Sequence, residues 1–347
     1  MRCWSRYPRV IAFESVTGPA GIAFVSGTLQ ACVVVAMVRP RVRRGCMAAA
    51  AIVLAAVIGL NAAVARGTWE SHIKVAAIGW LSRDSGDCPD VHSEEGFEAL
   101  FAKPVAEAAA QGARLIVSGE MGFFLDRQTR GEWLRRFAEM SRRYGVMLAV
   151  GCFDAELNEN RVLFFDRQGA TINHYVKTHL TPFEHSRRGD GRMTIADVGG
   201  VGVGVMICQD DNFDTLVRSY GRTRAGVMAV PTLDWSTVRK VHLETTIHRA
   251  IQLRRCMVRA AINGVSAIIL PSGKLAAVCD HFDEGARMIM AEVPVGGRPT
   301  LYARWGDWVV ALSLVWLAFF AGRFVMAQES HVEVVSAEGE DSAVQMG

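Results

Sequence analysis

Three residues that close apolar runs carry the reactive chemistry of this sequence. Cys208 follows Val203-Gly204-Val205-Met206-Ile207 and precedes Gln209-Asp210-Asp211. The run reads as a buried strand about to turn into a helix. A thiol near a helix N-terminus is expected to have a lowered pKa and thiolate character. Glu120 stands after Leu115–Val117 and Ser118-Gly119, where a carboxylate can take a proton from a thiol and return it to a leaving group. Lys177 lies in His174-Tyr175-Val176-Lys177-Thr178-His179-Leu180. An ammonium beside a thiolate holds the nucleophile and stabilises an oxyanion. Taken singly each has a plainer use: unpaired cysteines are mostly core residues, and loop acids and lysines are mostly solvated. Their shared position at strand ends is where layered α/β proteins place ligands.

The elements that must position them follow from the hydrophobic pattern. Ile73–Gly79 reads as a buried strand. Glu94–Gln111 is an amphipathic helix, with Phe97, Leu100, Phe101, Val105 and Ala108 near helical spacing and Gly112 as its stop. Leu115–Val117 is a strand, Arg130–Tyr144 a helix closed by Gly145, and Val146–Phe153 a strand. Arg161–Phe165 and Ile172–Val176 form a hairpin-like pair across Asp166–Gly169. Val201–Cys208 reads as a strand, Phe213–Tyr220 as a short helix, Gly226–Pro231 as a strand and Lys240–Ala260 as a long helix. A hairpin of Ser266–Leu270 and Leu275–Val278, then a strand Arg287–Val293, end the series. Early alternation and late hairpins predict a mixed sheet system with helices outside, an α/β layered domain.

The chain has 347 residues and a formal charge of +3. With 50% hydrophobic and 21% charged residues it is not disordered. Residues 1–67 hold eight arginines and one acid, Glu14, whereas 327–347 hold five acids and no base. The near-neutral middle leaves no basic face for nucleic acid. The mean hydropathy of +0.18 comes mostly from three apolar runs. Ser15–Val38 and Gly45–Ala65 carry no charge, and each is long enough for a hydrocarbon core of ~30 Å. The third starts at Trp308 and reaches Met326 if Arg323 snorkels. Tyr302, Trp305 and Trp308 crowd its start as in an interfacial aromatic belt.

The loop with Arg39, Arg41, Arg43 and Arg44 is cytoplasmic by the positive-inside rule, which delivers the middle of the chain to the outside. Arg2, Arg6 and Arg9 pull the other way, and the short dense loop carries more weight. A rival reading makes Arg39–Arg44, Cys46–Leu60 and Ala63-Val64-Ala65 a signal peptide with Met37 as a start. Both readings export the domain. The expected division is a membrane region over 1–67 with helices at about 15–38 and 45–65, a catalytic domain over 68–300, a membrane helix over 301–327 and a disordered acidic tail over 328–347. Eight cysteines show neither C-x-x-C nor zinc spacing.

The order and surroundings of the three reactive residues resemble the nitrilase (carbon–nitrogen hydrolase) superfamily, which uses a Glu-Lys-Cys triad in this chain order with each member at a strand end. Ile116-Val117-Ser118-Gly119-Glu120 is similar to its Glu motif, with Gly119 where a proline is usual. Tyr175 through Glu184 (YVKTHLTPFE) resembles its Lys motif, and Val205-Met206-Ile207-Cys208-Gln209-Asp210 its Cys motif, with Gln209 where an aromatic is common. The likeness covers roughly Ile73–Val293. Within the superfamily it is nearest to the apolipoprotein N-acyltransferase branch, through the Pro-Phe-Glu run, through Ala261–Ile269 with Pro271-Ser272-Gly273, and through Pro299–Trp308 leading into an apolar helix. That branch has a larger bundle of membrane helices, of which at most two precede the domain here. A reduced relative, a fragment from a late start codon and half of a split protein are all compatible with this.

The resemblance implies a nitrilase-like α-β-β-α sandwich with flanking transmembrane helices, at the cytoplasmic membrane with the domain on its outer (periplasmic) side. It implies catalysis by Glu120, Lys177 and Cys208, with Glu184 as the second glutamate that orients Lys177 and with the Gln209 backbone N–H on the oxyanion. The implied reaction moves an acyl chain from a phospholipid through a Cys208 thioester to the N-terminal amine of a lipoprotein. The same triad with water as second nucleophile makes a membrane-tethered amidase, and a non-catalytic relative is the third reading. Substrate contacts are expected from Phe123, Phe183, Arg187, Arg188, Asp234 and Trp235, with lids over Phe123–Arg130 or Phe183–Met193. Arg249, Arg254, Arg255 and Arg259 are expected to form a solvated or head-group-facing stripe on the long helix. His242 and His248 are six apart and do not share a helix face as zinc ligands. No metal or nucleotide signature appears, and no cofactor is expected.

Overall fold

Residues 2–66, 69, 71–82, 88–285 and 287–323 are described by a computed structural model. The expected acidic tail and the end of the third apolar run lie outside the described residues. Thirteen strands build two sheets among the described residues. The first has β1 (Ser71–Gly79), β2 (Leu115–Ser118), β3 (Phe123–Leu125), β4 (Met147–Asp154), β5 (Glu159–Phe165), β6 (Thr171–Val176) and β13 (Arg287–Val295). Its order is β13-β1-β2-β4-β5-β6, with β3 beside β4. The second has β7 (Ile195–Val198), β8 (Val201–Val205), β9 (Ala225–Leu233), β10 (Cys256–Ile262), β11 (Val265–Ile269) and β12 (Leu275–Asp280), in the order β12-β11-β10-β9-β8-β7.

The strands at the centre are near-continuous apolar runs because both their faces are covered. Parallel pairs β1–β2–β4 and β8–β9–β10 form the middle of each sheet, and antiparallel strands form the edges. The inner faces pack on each other through Val75, Ala77, Leu115 and Val117 from one sheet and Val203, Val205, Val227, Ala229 and Val258 from the other.

Helices cover the outer faces. The expected helix Glu94–Gln111 is α4 (Glu94–Phe97), a π-helical turn (Glu98–Ala102) and α5 (Lys103–Ala110), started by Ser93, whose hydroxyl accepts from the Gly96 N–H. With α6 (Arg130–Tyr144) it covers the first sheet through Phe97, Phe101, Val105, Trp133 and Phe137. The second sheet is covered by α7 (Asp214–Gly221) and α8 (Arg239–Leu253) through Val217, Tyr220, Ile247, Ala250 and Ile251. The α-β-β-α sandwich expected from the resemblance is thus the observed fold.

One expected element is corrected. The helix over Lys240–Ala260 ends at Leu253, Arg254 takes a left-handed φ of 51°, and the chain turns into β10. A fully buried apolar run carries no periodicity that separates strand from helix, and pairing with β9 from Cys256↔Val227 to Ile262↔Leu233 decides it. The expected arginine stripe fails with it. Arg249, Arg255 and Arg259 are buried and hydrogen-bonded inside the protein.

Before the sandwich come α1 (Glu14–Thr17), α2 (Pro19–Val38) and α3 (Arg43–Ala65). Pro19–Val38 and the stretch Pro40–Ala65 are long and apolar enough to cross a membrane, and little of either is buried in the protein. After the sandwich, α9 (Leu301–Trp305) packs on it and breaks at Gly306, before a shorter apolar helix over Trp308–Arg323. All three apolar helices root on the α8 side. Ile11, Phe13 and Ile22 join the core beneath α8. Glu14 is buried with Oε2 2.9 Å from His248 Nδ1, Asn61 Nδ2 donates to the Val10 carbonyl at 2.7 Å, and Trp308 Nε1 donates to the Val16 carbonyl at 2.8 Å.

Candidate active site

Each of the three reactive residues sits just past a strand, and local backbone fixes it there. Glu120 follows β2, and its N–H donates to Thr232 O of β9 at 3.3 Å, across the two sheets. Gly151 of β4 lies against this turn so closely that a Cβ there would be 2.2 Å from Gly119 O. Lys177 follows β6, with its N–H on Asn160 O at 2.9 Å. Cys208 follows β8 with φ 46°, a strained left-handed turn for a residue bearing a Cβ, and begins the short 3-10 turn Cys208–Asn212. Asp210 ties that turn to the lysine segment. Its Oδ2 accepts from the Ile207 N–H (3.1 Å) and from the Tyr175 hydroxyl (2.8 Å), and its Oδ1 accepts from the His179 N–H (2.8 Å).

The side chains converge. Lys177 and Glu120 are each 2% exposed, and Lys177 Nζ donates to Glu120 Oε1 and to Glu184 Oε2, both at 2.7 Å. Asn160 Nδ2 donates to Glu120 Oε1 and Glu184 Oε1, both at 2.7 Å. The Leu233 N–H donates to Glu120 Oε2 at 2.7 Å, and the carbonyl of the same residue lies 3.6 Å from Cys208 Sγ. Glu120, Lys177, Glu184 and Cys208 line one cleft of about 650 Å³. Gln209 also lines the cleft, and its N–H has no hydrogen-bond partner among the described residues.

The electrostatics correct one expectation. The Cys208 thiol is not acidified by its turn. Burial, then the Glu120 carboxylate, push it up to about 11, against the lowering pull of His242 and Lys177. A five-residue 3-10 turn has too small a dipole to offset desolvation. Burial works against the charge of Lys177, but the Glu120 carboxylate and the hydrogen bonds to both glutamates outweigh it and raise its pKa. Burial likewise pushes Glu184 up, and the Lys177 ammonium beside it brings it below its ordinary value. The site is equipped to hold a protonated thiol beside a carboxylate that can remove its proton, with a fixed cation and a free N–H nearby for an oxyanion.

The remaining expected residues divide. Phe183 (88% exposed) and Trp235 (56% exposed) stand at the cleft, with Asp234 below them. Asp234 is buried in an ion pair with Arg259, Nη2 to Oδ2 2.6 Å, so it faces protein more than solvent. Phe123 is not at the cleft. Pairing of β3 with β4 turns it into the core, 4.8 Å from the Phe137 ring and 5.0 Å from that of Phe101. Arg187 is paired with Glu159, Arg188 Nε donates to Thr178 O at 2.7 Å, and both border a second depression.

Sequence reasoning missed Asn160, the structural use of Asp210, and His242. No local signal marks Asn160, a polar residue in a hairpin strand. Cys208, Asp234 and His242 lie together, one possible ligand atom of each within 4.8 Å of the others. Both ring nitrogens of His242 already face carboxylates, Nδ1 that of Asp234 at 2.8 Å and Nε2 that of Asp211 at 3.1 Å, so neither is offered as a metal ligand.

A two-sheet sandwich carrying a buried Glu-Lys-Cys constellation at its strand ends defines an enzyme of the nitrilase superfamily. The profile of the carbon-nitrogen hydrolase family matches residues 55–298, and the chain belongs to that family. The chain is 24% identical over 248 residues to an apolipoprotein N-acyltransferase of Geobacter metallireducens, covering 63% of this chain and 47% of that protein. It is 28% identical over 258 residues to one of Gloeobacter violaceus, covering 64% and 48%. The chain thus spans about half the length of these curated relatives. Among solved structures, a mutant amidase from Nesterenkonia sp. AN1 in complex with butyramide superposes with a TM-score of 0.55 at 18% identity, over 66% of this chain and 94% of that one. Another form of that amidase, with the acetamide moiety of fluoroacetamide added to its active-site cysteine, gives 0.58 at 17%, over 72% and 100%. At that identity the likeness is one of fold.

Proposed function

We propose that this protein is a membrane-bound N-acyltransferase that moves an acyl chain from a phospholipid, through a thioester on Cys208, to the N-terminal amine of a lipoprotein. The observation that carries the reading is the rim of the cleft. Phe183, Trp235, Met121 and Val241 expose apolar surface around a buried, ion-paired triad, in a chain whose apolar helices root on the same sandwich. Such exposed apolar surface marks contact with lipid or partner. The curated relatives, named apolipoprotein N-acyltransferases, support it.

Glu120 takes the Cys208 proton, and the thiolate attacks the ester carbonyl carbon. The tetrahedral oxyanion is stabilised by Lys177 and the Gln209 N–H. Its collapse breaks the ester C–O bond, and Glu120 returns the proton to the departing lysophospholipid oxygen. The amine then attacks the thioester, Glu120 accepts its proton, and the C–S bond breaks to regenerate the thiol once the proton passes to sulfur. Glu184 holds Lys177 in place. The Arg39–Arg44 loop supports residues 1–67 as a membrane region with the catalytic domain on the outer face of the cytoplasmic membrane. Further support for the membrane division comes from the apolar helix Trp308–Arg323.

The test is the intact mass of protein purified from membranes, with and without hydroxylamine. An acyl-sized adduct on Cys208 that hydroxylamine removes is expected, and it is absent in Cys208→Ala. Lipoprotein acylation that survives Cys208→Ala overturns the reading. Turnover of short amides without any acyl adduct favours an amidase instead.

A further inference from the structure

The buried His242 beside the nucleophile has no part in the chemistry above. Its ring lies between two carboxylates, Asp234 Oδ1 at 2.8 Å from Nδ1 and Asp211 Oδ1 at 3.1 Å from Nε2. Each carboxylate is itself oriented by a second donor. Thr246 Oγ1 donates to Asp211 Oδ2 at 2.7 Å, and Arg259 Nη2 donates to Asp234 Oδ2 at 2.6 Å. Arg259 Nη1 also donates to Thr246 Oγ1 at 3.1 Å, which closes the network. A neutral imidazole has one N–H and one lone pair. Between two carboxylates, that lone pair would point at an anion, whereas the protonated ring donates to both. The geometry therefore selects the imidazolium.

We propose that His242 is a fixed imidazolium that stabilises the Cys208 thiolate, a second cation beside Lys177, and that it serves both halves of acyl transfer. The proposal rests on the reading of Cys208 as nucleophile. Cys208 Sγ lies within 4.8 Å of a His242 ring nitrogen and of an Asp234 oxygen. The charged and titratable groups that face the ring are Asp211 from the turn after β8, Asp234 from the end of β9, Arg259 from β10 and Cys208 itself. Glu120 and Lys177 line the same cleft. Burial and Arg259 oppose a positive ring, but the charge of Asp211 and its hydrogen bond, joined by Cys208 once it is a thiolate, outweigh them and raise its pKa well above the usual value. Asp234 also neutralises the Arg259 guanidinium.

His242 gives up no proton in this scheme. When Glu120 removes the thiol proton, the new negative charge on sulfur forms beside the imidazolium. When the amine expels sulfur from the thioester, the same charge reappears at the same place. A cation there lowers the cost of both events.

The experiment is alkylation of Cys208 by iodoacetamide in the full chain in detergent, with the rate read on the Cys208 peptide by mass between pH 7 and 9.5, below the thiol pKa of about 11. It needs no turnover. His242→Gln keeps polar contacts without the charge. Its alkylation rate is expected to fall at least tenfold at every pH in that range, which corresponds to a thiol pKa higher by at least one unit. His242→Lys, which restores a cation, should recover part of that loss. Asp211→Asn, which withdraws one carboxylate from the ring, should lower the rate by less. An unchanged rate in His242→Gln, with or without a fall in thermal stability, overturns the proposal. If His242→Gln does not fold, an unchanged rate in Asp211→Asn does so. Failure of the nucleophile reading looks different: acyl transfer survives Cys208→Ala, whatever the alkylation profile.

Discussion

Asn160 and Lys177 bridge the same two carboxylates, each making 2.7 Å hydrogen bonds to Glu120 and to Glu184. The two donors come from adjacent antiparallel strands, since Asn160 lies in β5 and Lys177 just past β6, and the Lys177 N–H is bound to the Asn160 carbonyl at 2.9 Å. Asn160 is therefore the neutral half of a clamp whose charged half is Lys177.

Removing that half should disturb the base without removing any charge. Hydrogen bonds to charged groups contribute about 1.5–3 kcal/mol each. Asn160→Ala is expected to lower kcat/KM about 10- to 100-fold and to cost about 1–3 kcal/mol of stability. Steady-state kinetics and thermal unfolding in detergent check both. Activity within twofold of wild type would mean that Lys177 and the Leu233 N–H fix Glu120 without it.

The second expectation concerns pH. The Cys208 thiol sits at about 11, so near neutrality it is protonated, and in the proposed mechanism Glu120 takes that proton. In Glu120→Gln that internal base is gone, and thiolate forms only as the pH rises. Below the thiol pKa its fraction grows about tenfold per unit. The variant should be nearly inactive at pH 7 and gain activity steadily up to pH 10. The gain should level off below 11, because the Glu120 carboxylate is the second cause that raises the thiol. A pH–rate profile for acyl transfer by this variant decides it, and a flat profile removes Glu120 as the base.

The three reactive residues were legible because each sits in a contiguous motif at the end of an apolar run. Their helpers were not. Asn160 lies forty residues from Glu120 in the chain and reads as an ordinary strand residue. The Leu233 N–H that binds Glu120 Oε2 is 113 residues away, and backbone donors leave no trace in composition. The spacing of His242 from His248 tests only for a second histidine on one helix face. The partners of His242, Asp211 and Asp234, come from the segments that follow β8 and β9. The boundary between α8 and β10 is hidden for a similar reason. A run buried on every side has no face to reveal its period, and the turn at Arg254 has no glycine or proline to mark it. Phe123, expected among the substrate contacts, is turned inward by the pairing of β3 with β4.

Close packing at the base of the site gives a third test. Gly151 in β4 faces the Gly119–Glu120 turn, and a methyl there would sit 2.2 Å from Gly119 O and 3.0 Å from the Glu120 Cα. These are backbone atoms, which cannot swing aside. Gly151→Ala is expected to displace the Gly119–Glu120 turn and with it the Glu120 carboxylate. Overpacking of this kind costs about 1–3 kcal/mol. The loss of kcat is expected to exceed what the unfolded fraction explains, because displacement of about 1 Å at a reacting group costs on the order of 100-fold. Activity per folded molecule is the measurement, and wild-type activity per folded molecule would show that the turn accommodates the methyl.

The last test separates lipid from small amide as the acyl donor. Phe183 and Trp235 border the cleft and are largely exposed, and neither donates to the triad. A side chain of that size in water is unfavourable, and burying one against acyl chain is worth about 1.5–3 kcal/mol. If the donor is a phospholipid, Phe183→Ala and Trp235→Ala should each raise KM for phospholipid vesicles about tenfold or more. The kcat should change little, since that contact is made equally in the ground and transition states. Alkylation of Cys208 by a small electrophile should be unaffected, which shows that the triad is intact. A short water-soluble amide has no chain to lay on those rings, so for an amidase both substitutions leave KM unchanged. Equal KM for vesicles in wild type and in the double variant would therefore end the lipid reading while leaving the thiol chemistry standing.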